Sequence, residues 1–177
     1  MIPLRTNNFE YSTKQPKHII IHHMYEWLTD FAFFKIDTTK PQVPKYIEYS
    51  YKVLKQKETG YHYAVDRINN DFYVFASQPL LTICKYPDIP KIYENAIHIG
   101  IIGDYNEDIP MIRMYKVLAY RILVPMTRLF RIPESRILFH KDVSIDKKQT
   151  CPGEFMDRSD LITQFRSVKK NRSVTRG

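Results

Sequence analysis

Apolar residues in this chain gather in short dense runs, and the densest lies between Lys17 and His23. Three consecutive isoleucines sit there among histidines, with no turn residue to interrupt them. Such a run predicts a strand buried on both faces. Alternation with a period of two sets His18, Ile20 and His22 on one face, and Ile19, Ile21 and His23 on the other. Ala96 to Ile102 reads as a second such strand, closed by a Gly103-Asp104 turn. Tyr61-His62-Tyr63-Ala64-Val65 and Phe72-Tyr73-Val74-Phe75 predict a strand pair, with Asp66 through Asp71 as the hairpin loop around Asn69-Asn70. Arg136 to His140 adds a short strand that ends in histidine.

Helical spacing occurs three times. Pro44 opens a helix through Lys57 that aligns Ile47, Tyr51 and Leu54, and Gly60 supplies a left-handed cap after it. Pro110 begins a second, with Met111, Tyr115, Leu118 and Ile122 along one stripe. Pro125 is expected to kink or shorten that helix before Leu129-Phe130. A third, near Met156–Val168, carries Leu161, Ile162 and Phe165. The segment 25–43 reads as irregular, with proline-marked turns. Strands interleaved with helices predict an α/β fold: a single domain whose mixed central β-sheet is flanked by helices. Residues 1–16 read as an N-terminal arm, 17–168 as the domain and 169–177 as a basic C-terminal tail.

The length of 177 residues suits one domain with one sizeable core. A hydrophobic content of 44% excludes global disorder. No apolar run approaches the roughly 20 residues that span a bilayer, so no membrane insertion is expected. The first eight residues lack a secretory apolar core, and the protein is expected to be made without a conventional export signal. The net charge of +8 favours polyanions in general. No nucleic-acid motif with interleaved aromatics accompanies it, so no specific nucleic-acid partner is expected.

Two cysteines allow at most one disulfide and exclude a disulfide scaffold. Cys84 follows the apolar patch Leu80-Leu81-Thr82-Ile83 and reads as a buried small hydrophobe. Cys151 stands among polar residues beside a Pro-Gly turn, where a thiolate ligand fits better. His140 ends its strand eleven residues before Cys151, and His22 lies near the end of the Lys17–His23 strand. Ligand sites in open α/β sheets form outside the carboxyl ends of strands. Two histidines and a cysteine make a three-ligand zinc set, with the fourth tetrahedral position open to water. Taken alone, either histidine is more often a core residue. His23, His62 and His98 read as packing or hydrogen-bonding groups.

Four segments taken in order resemble the zinc-dependent N-acetylmuramoyl-L-alanine amidases, whose fold is shared with the peptidoglycan recognition proteins. They are Ile19-Ile20-Ile21-His22-His23, Gly60 through Arg67, Ala96 through Tyr105, and His140-Lys141-Asp142-Val143 leading to Cys151-Pro152-Gly153. The resemblance covers residues 17 to about 165. It implies zinc bound by His22, His140 and Cys151, with Tyr61 assisting at the reacting carbonyl. An accessory residue usually stands two positions before the cysteine; here Gln149 occupies that place and Lys148 precedes it, so Lys148 is carried over as the second catalytic residue, with Gln149 as the alternative, a neutral hydrogen-bond donor. His98 departs from the usual glycine, and Gly100 stands where some members have a glutamate. Asp142 is expected to be structural or to support a ligand imidazole.

The implied reaction is hydrolysis of the amide between N-acetylmuramic acid and L-alanine, with peptidoglycan as partner. A phage-encoded lytic enzyme is the expected setting, acting from the host cytoplasm after release to the cell wall, or as part of a virion. A non-hydrolysing peptidoglycan-binding or virion module of the same fold is the alternative, and the intact ligand set argues against it.

Overall fold

The computed structural model describes residues 9–24, 39–44 and 60–174. Five strands among them form one mixed sheet: β1 (Ile19–His23), β2 (Tyr63–Ile68), β3 (Asp71–Ala76), β4 (Ile97–Ile101) and β5 (Ile137–Phe139). Their spatial order is β3-β2-β4-β1-β5, with β2, β4, β1 and β5 parallel and β3 antiparallel at one edge. The α/β class and the mixed sheet are therefore as the sequence pattern predicts. β1 and β4 are buried along their full length, which is why both read as continuous apolar runs.

One face of the sheet carries Ile19, Ile21, Ile97, Ile99, Ile101, Ile137 and Phe139 into the main core. That core is closed by α1 (Ile112–Leu118), α2 (Val124–Leu129) and the C-terminal helix, through Tyr115, Leu118, Ile122, Leu161 and Phe165. The other face carries Ile20 into a small cluster with Ile89, Ala96 and Val143, and Ala64 into another with Met24, Val43, Tyr61 and Ile102. Short α3 (His140–Val143) follows β5 directly, and α4 (Arg158–Val174) ends the described chain. Asp157 starts α4 by accepting the amide of Ser159 at 2.6 Å.

Several boundaries differ from expectation for physical reasons. The hairpin loop is only Asn69-Asn70, both at positive φ (49° and 67°), because asparagine tolerates the left-handed region that a two-residue turn needs. The strands thus run on to Ile68 and from Asp71. Pro125 does not end the second helix. A π turn, Ala119–Leu123, precedes it, and the wider turn accommodates a ring that cannot donate to the carbonyl four residues back. Met111 caps α1 from an exposed position, and Met114 fills the core in its place. His140 begins α3 rather than ending β5, since Asp142 accepts the Phe139 amide at 2.8 Å and turns the chain there.

The arm residues that are described pair with the body: Ser12 donates to the Leu81 carbonyl and Ile83 to that of Glu10, each at 2.8 Å. Residues 169–174 of the basic tail continue α4. The helix predicted from Pro44 to Lys57 lies, beyond its first residue, outside the described residues, as does most of 25–43.

Candidate metal centre

The parallel strands β1 and β5 are in register, Ile21 beside Phe139, so the residue after each falls at the carboxyl edge of the sheet. Those residues are His22 and His140. Their ring centroids lie 4.6 Å apart. Cys151 reaches the same point from the loop after α3. Its carbonyl accepts the Lys141 amide at 2.8 Å and its thiol sulfur accepts the His23 amide at 3.3 Å. Gly153 allows this loop to lie flat on the chain. Its φ is +122°, and a Cβ there would stand 2.4 Å from the Tyr105 carbonyl carbon.

His22, His140 and Cys151 each offer a ligand atom, and these atoms all lie within 4.8 Å of one another. A tetrahedral zinc with bonds of about 2.0–2.3 Å spaces its ligands roughly 3.5 Å apart. Contraction by at most roughly 1.3 Å would close the set around an ion. All three residues are buried, at 1%, 7% and 4% exposure. Two imidazoles and a thiolate are borderline-soft donors suited to zinc, so the residues present fit the metal that the sequence implies. Burial, then the neighbouring rings of His98, His140 and His23, holds His22 well below the usual histidine range. Neutral imidazole is the form that ligates.

Other groups surround the three candidate ligands. Asp88 Oδ2 lies 2.8 Å from His140 Nε2, accepts the Ser144 hydroxyl at 2.8 Å and faces the Gln149 amide nitrogen at 3.3 Å. Burial pushes the Asp88 carboxyl up, but Ser144, His140 and Gln149 outweigh it, and the net shift is downward. Gln149 turns its other end back to accept the Cys151 amide at 3.0 Å. Tyr86 stacks on His22 at 4.7 Å and on His98 at 4.8 Å, while its hydroxyl donates to the Gly60 carbonyl.

Tyr61 presents its ring to His22 edge-on, with centroids 5.5 Å apart. Gly100 lies beside His22 in the sheet, and a Cβ there would meet Met24 Sδ at 2.4 Å and Tyr61 Cδ1 at 3.1 Å. Lys148 is exposed on the Cys151 loop, its backbone amide bound to Asp146 Oδ1 at 2.9 Å. Asp142 supports the chain at Phe139. His62, predicted within a strand, precedes β2 in a bend and is fully buried.

Asp88 and Tyr86 escape sequence reading. They stand in Tyr86-Pro87-Asp88-Ile89-Pro90, a proline-marked loop with no periodicity and no ligand spacing. Asp88→Ala would remove the acceptor that Ser144 and Gln149 share and the carboxylate beside His140 Nε2. It is expected to weaken zinc binding by about 10- to 100-fold, as removal of outer hydrogen-bond partners commonly does. Competition with a chromophoric chelator measures this, and an unchanged affinity would show that Asp88 does not support the site.

No family model matches the sequence, nor does any curated protein. Solved structures do match. A point variant of Drosophila PGRP-LB, solved in complex with tracheal cytotoxin, superposes with a TM-score of 0.62 at 18% identity, covering 84% of this chain and 81% of that one. The Ph2119 endolysin of a Thermus scotoductus bacteriophage gives 0.61 at 17% identity, over 93% and 92%. The N-acetylmuramoyl-L-alanine amidase LysC from Clostridium intestinale gives 0.58 at 16%, over 90% and 94%. The chain thus has the fold common to peptidoglycan recognition proteins and N-acetylmuramoyl-L-alanine amidases.

Proposed function

We propose that this chain is a zinc-dependent N-acetylmuramoyl-L-alanine amidase that cleaves peptidoglycan between muramic acid and L-alanine. The observation that carries the reading is the convergence of His22, His140 and Cys151 at the carboxyl edge of this sheet. The fold's solved examples include amidases and a recognition protein bound to tracheal cytotoxin, which supports a peptidoglycan substrate.

His22, His140 and Cys151 would hold zinc, which supplies the Lewis acidity to polarise the scissile carbonyl and to make water nucleophilic near neutral pH. The remaining work belongs to side chains. Tyr61, beside His22, would direct its hydroxyl at the charge that develops on the carbonyl oxygen, where a fixed donor in a buried site is most effective. The exposed Lys148 would add a cation from the Cys151 loop. Gln149 is committed to the Cys151 amide and Asp88, so its task is to hold the thiolate loop. Gly100 has no acid–base group, and Met24 fills the space beside it. A proton passing to the leaving amine would therefore travel through water held by Tyr61. The setting we propose is a phage lytic enzyme that meets the wall after release, with the basic surface favouring approach to an anionic polymer at low salt.

Incubation with peptidoglycan is expected to release new L-alanine N-termini without new reducing sugar ends. Prolonged chelation should abolish the release and added zinc restore it. Reducing ends would instead indicate a glycosidase, and lysis that persists after thorough chelation would exclude the zinc mechanism. A metal-loaded protein that binds peptidoglycan without cleaving it would indicate the binding-module alternative.

A further inference from the structure

Behind the three ligands runs a line of buried imidazoles. His22 Nε2 lies 2.9 Å from His98 Nδ1, and His98 Nε2 lies 3.4 Å from the Tyr93 carbonyl. The backbone amide of His98 donates to His62 Nδ1 at 3.0 Å, and His62 Nε2 reaches the Thr82 carbonyl at 3.1 Å. These three histidines lie wholly inside the protein.

Every proton in this line can be placed, because a carbonyl only accepts and an amide N–H only donates. His62 Nδ1 accepts an amide proton, so its ring proton is on Nε2 and goes to Thr82. His98 turns Nε2 to a carbonyl, so its proton is there and the neutral ring keeps its lone pair on Nδ1. Across 2.9 Å, His22 Nε2 must then be the donor. A neutral imidazole has one ring proton, so the lone pair of His22 is on Nδ1. The ring of Tyr86, stacked on both His22 and His98, holds the pair in this alignment.

We propose that His98 is a positioning residue for the metal centre: by accepting the Nε2 proton of His22 it fixes the tautomer whose Nδ1 lone pair serves as the ligand. The proposal rests on the metal-site reading above. A ligating histidine commonly gives its second ring proton to a carboxylate, a carbonyl or water. Here the acceptor is another imidazole, itself oriented by the Tyr93 carbonyl. The backbone turn Lys91–Tyr93 thereby governs the orientation of a ligand 71 positions earlier than Tyr93.

Long-range proton–nitrogen NMR correlations of the metal-free protein read ring tautomers directly. His22, His62 and His98 are all expected as Nε2–H forms. In His98→Ala, the fixed tautomer of His22 should be lost, and zinc affinity should fall by about 10- to 100-fold. His98→Asn places an amide oxygen near the position of Nδ1 and should restore the affinity to within a few-fold of wild type. Thermal unfolding of each metal-free variant establishes that it is folded. If His98→Ala does not fold, the wild-type tautomers and His98→Asn still decide the matter. Zinc binding by a wild type whose His22 carries its proton on Nδ1 would overturn the role of His98 alone. So would an unchanged affinity in folded His98→Ala. A wild type that binds no zinc would overturn the metal reading as well.

Discussion

Replacing Cys151 by serine is expected to strip the site of zinc and to lower peptidoglycan hydrolysis about a thousandfold or more. That is the scale of losing several kcal/mol of Lewis-acid stabilisation. Serine is nearly the same size as cysteine, its hydroxyl oxygen can still accept the His23 amide, and the rest of the frame around residue 151 is made by other atoms. Its amide goes to Gln149, its carbonyl takes the Lys141 amide, and the loop continues into Gly153 against Tyr105. The backbone should therefore stay in place while the donor changes from a thiolate to a hydroxyl, a much poorer zinc ligand. The metal-loaded wild type should also unfold at a higher temperature than the variant, since a ligand that binds only the native state stabilises it. Mass spectrometry of the dialysed proteins gives the metal content. A variant that retains a full equivalent of zinc would show that Cys151 is not a ligand.

What the sequence discloses about this site depends on how each residue is held. His22 and His140 are legible as candidates because each follows an apolar strand run, long and buried on both faces in β1, short in the edge strand β5. Cys151 is legible because its loop carries Cys-Pro-Gly at a short spacing from His140. The supports are another matter. His98 meets His22 across 76 positions, and the contact follows from the pairing of β1 with β4, in which Ile20 stands beside His98. No one-dimensional period carries strand register between distant segments. Asp88 stands 52 positions before His140 in a loop whose only signals are prolines. Likewise, Pro125 signals a break in the helix, but not that a π turn would absorb it. Local chemistry thus points to the proposed ligands, and tertiary pairing supplies the groups that stand beside them.

Tyr61→Phe tests the step that follows metal binding. The Tyr61 ring is 4% exposed and packs with Met24, Val43, Ala64 and Ile102, contacts that a phenylalanine keeps. Its orientation is set by the ring edge against His22 and by the glycine at position 100, where a side chain would press on Cδ1 from 3.1 Å. Removing only the hydroxyl should therefore leave the fold and the zinc content intact. Turnover should fall by about two to three orders of magnitude, the usual consequence of losing one fixed donor to a developing oxyanion. The Michaelis constant should change much less, because the lost interaction strengthens in the transition state and not in the bound substrate. Lys148→Ala should have the smaller effect, since an exposed ammonium on a loop is already solvated and gains less from the same charge. Turnover at saturating peptidoglycan separates the two. If Tyr61→Phe hydrolyses the amide at the wild-type rate while still holding zinc, the hydroxyl is not the oxyanion donor, and the developing charge must be met by other groups around His22, His140 and Cys151.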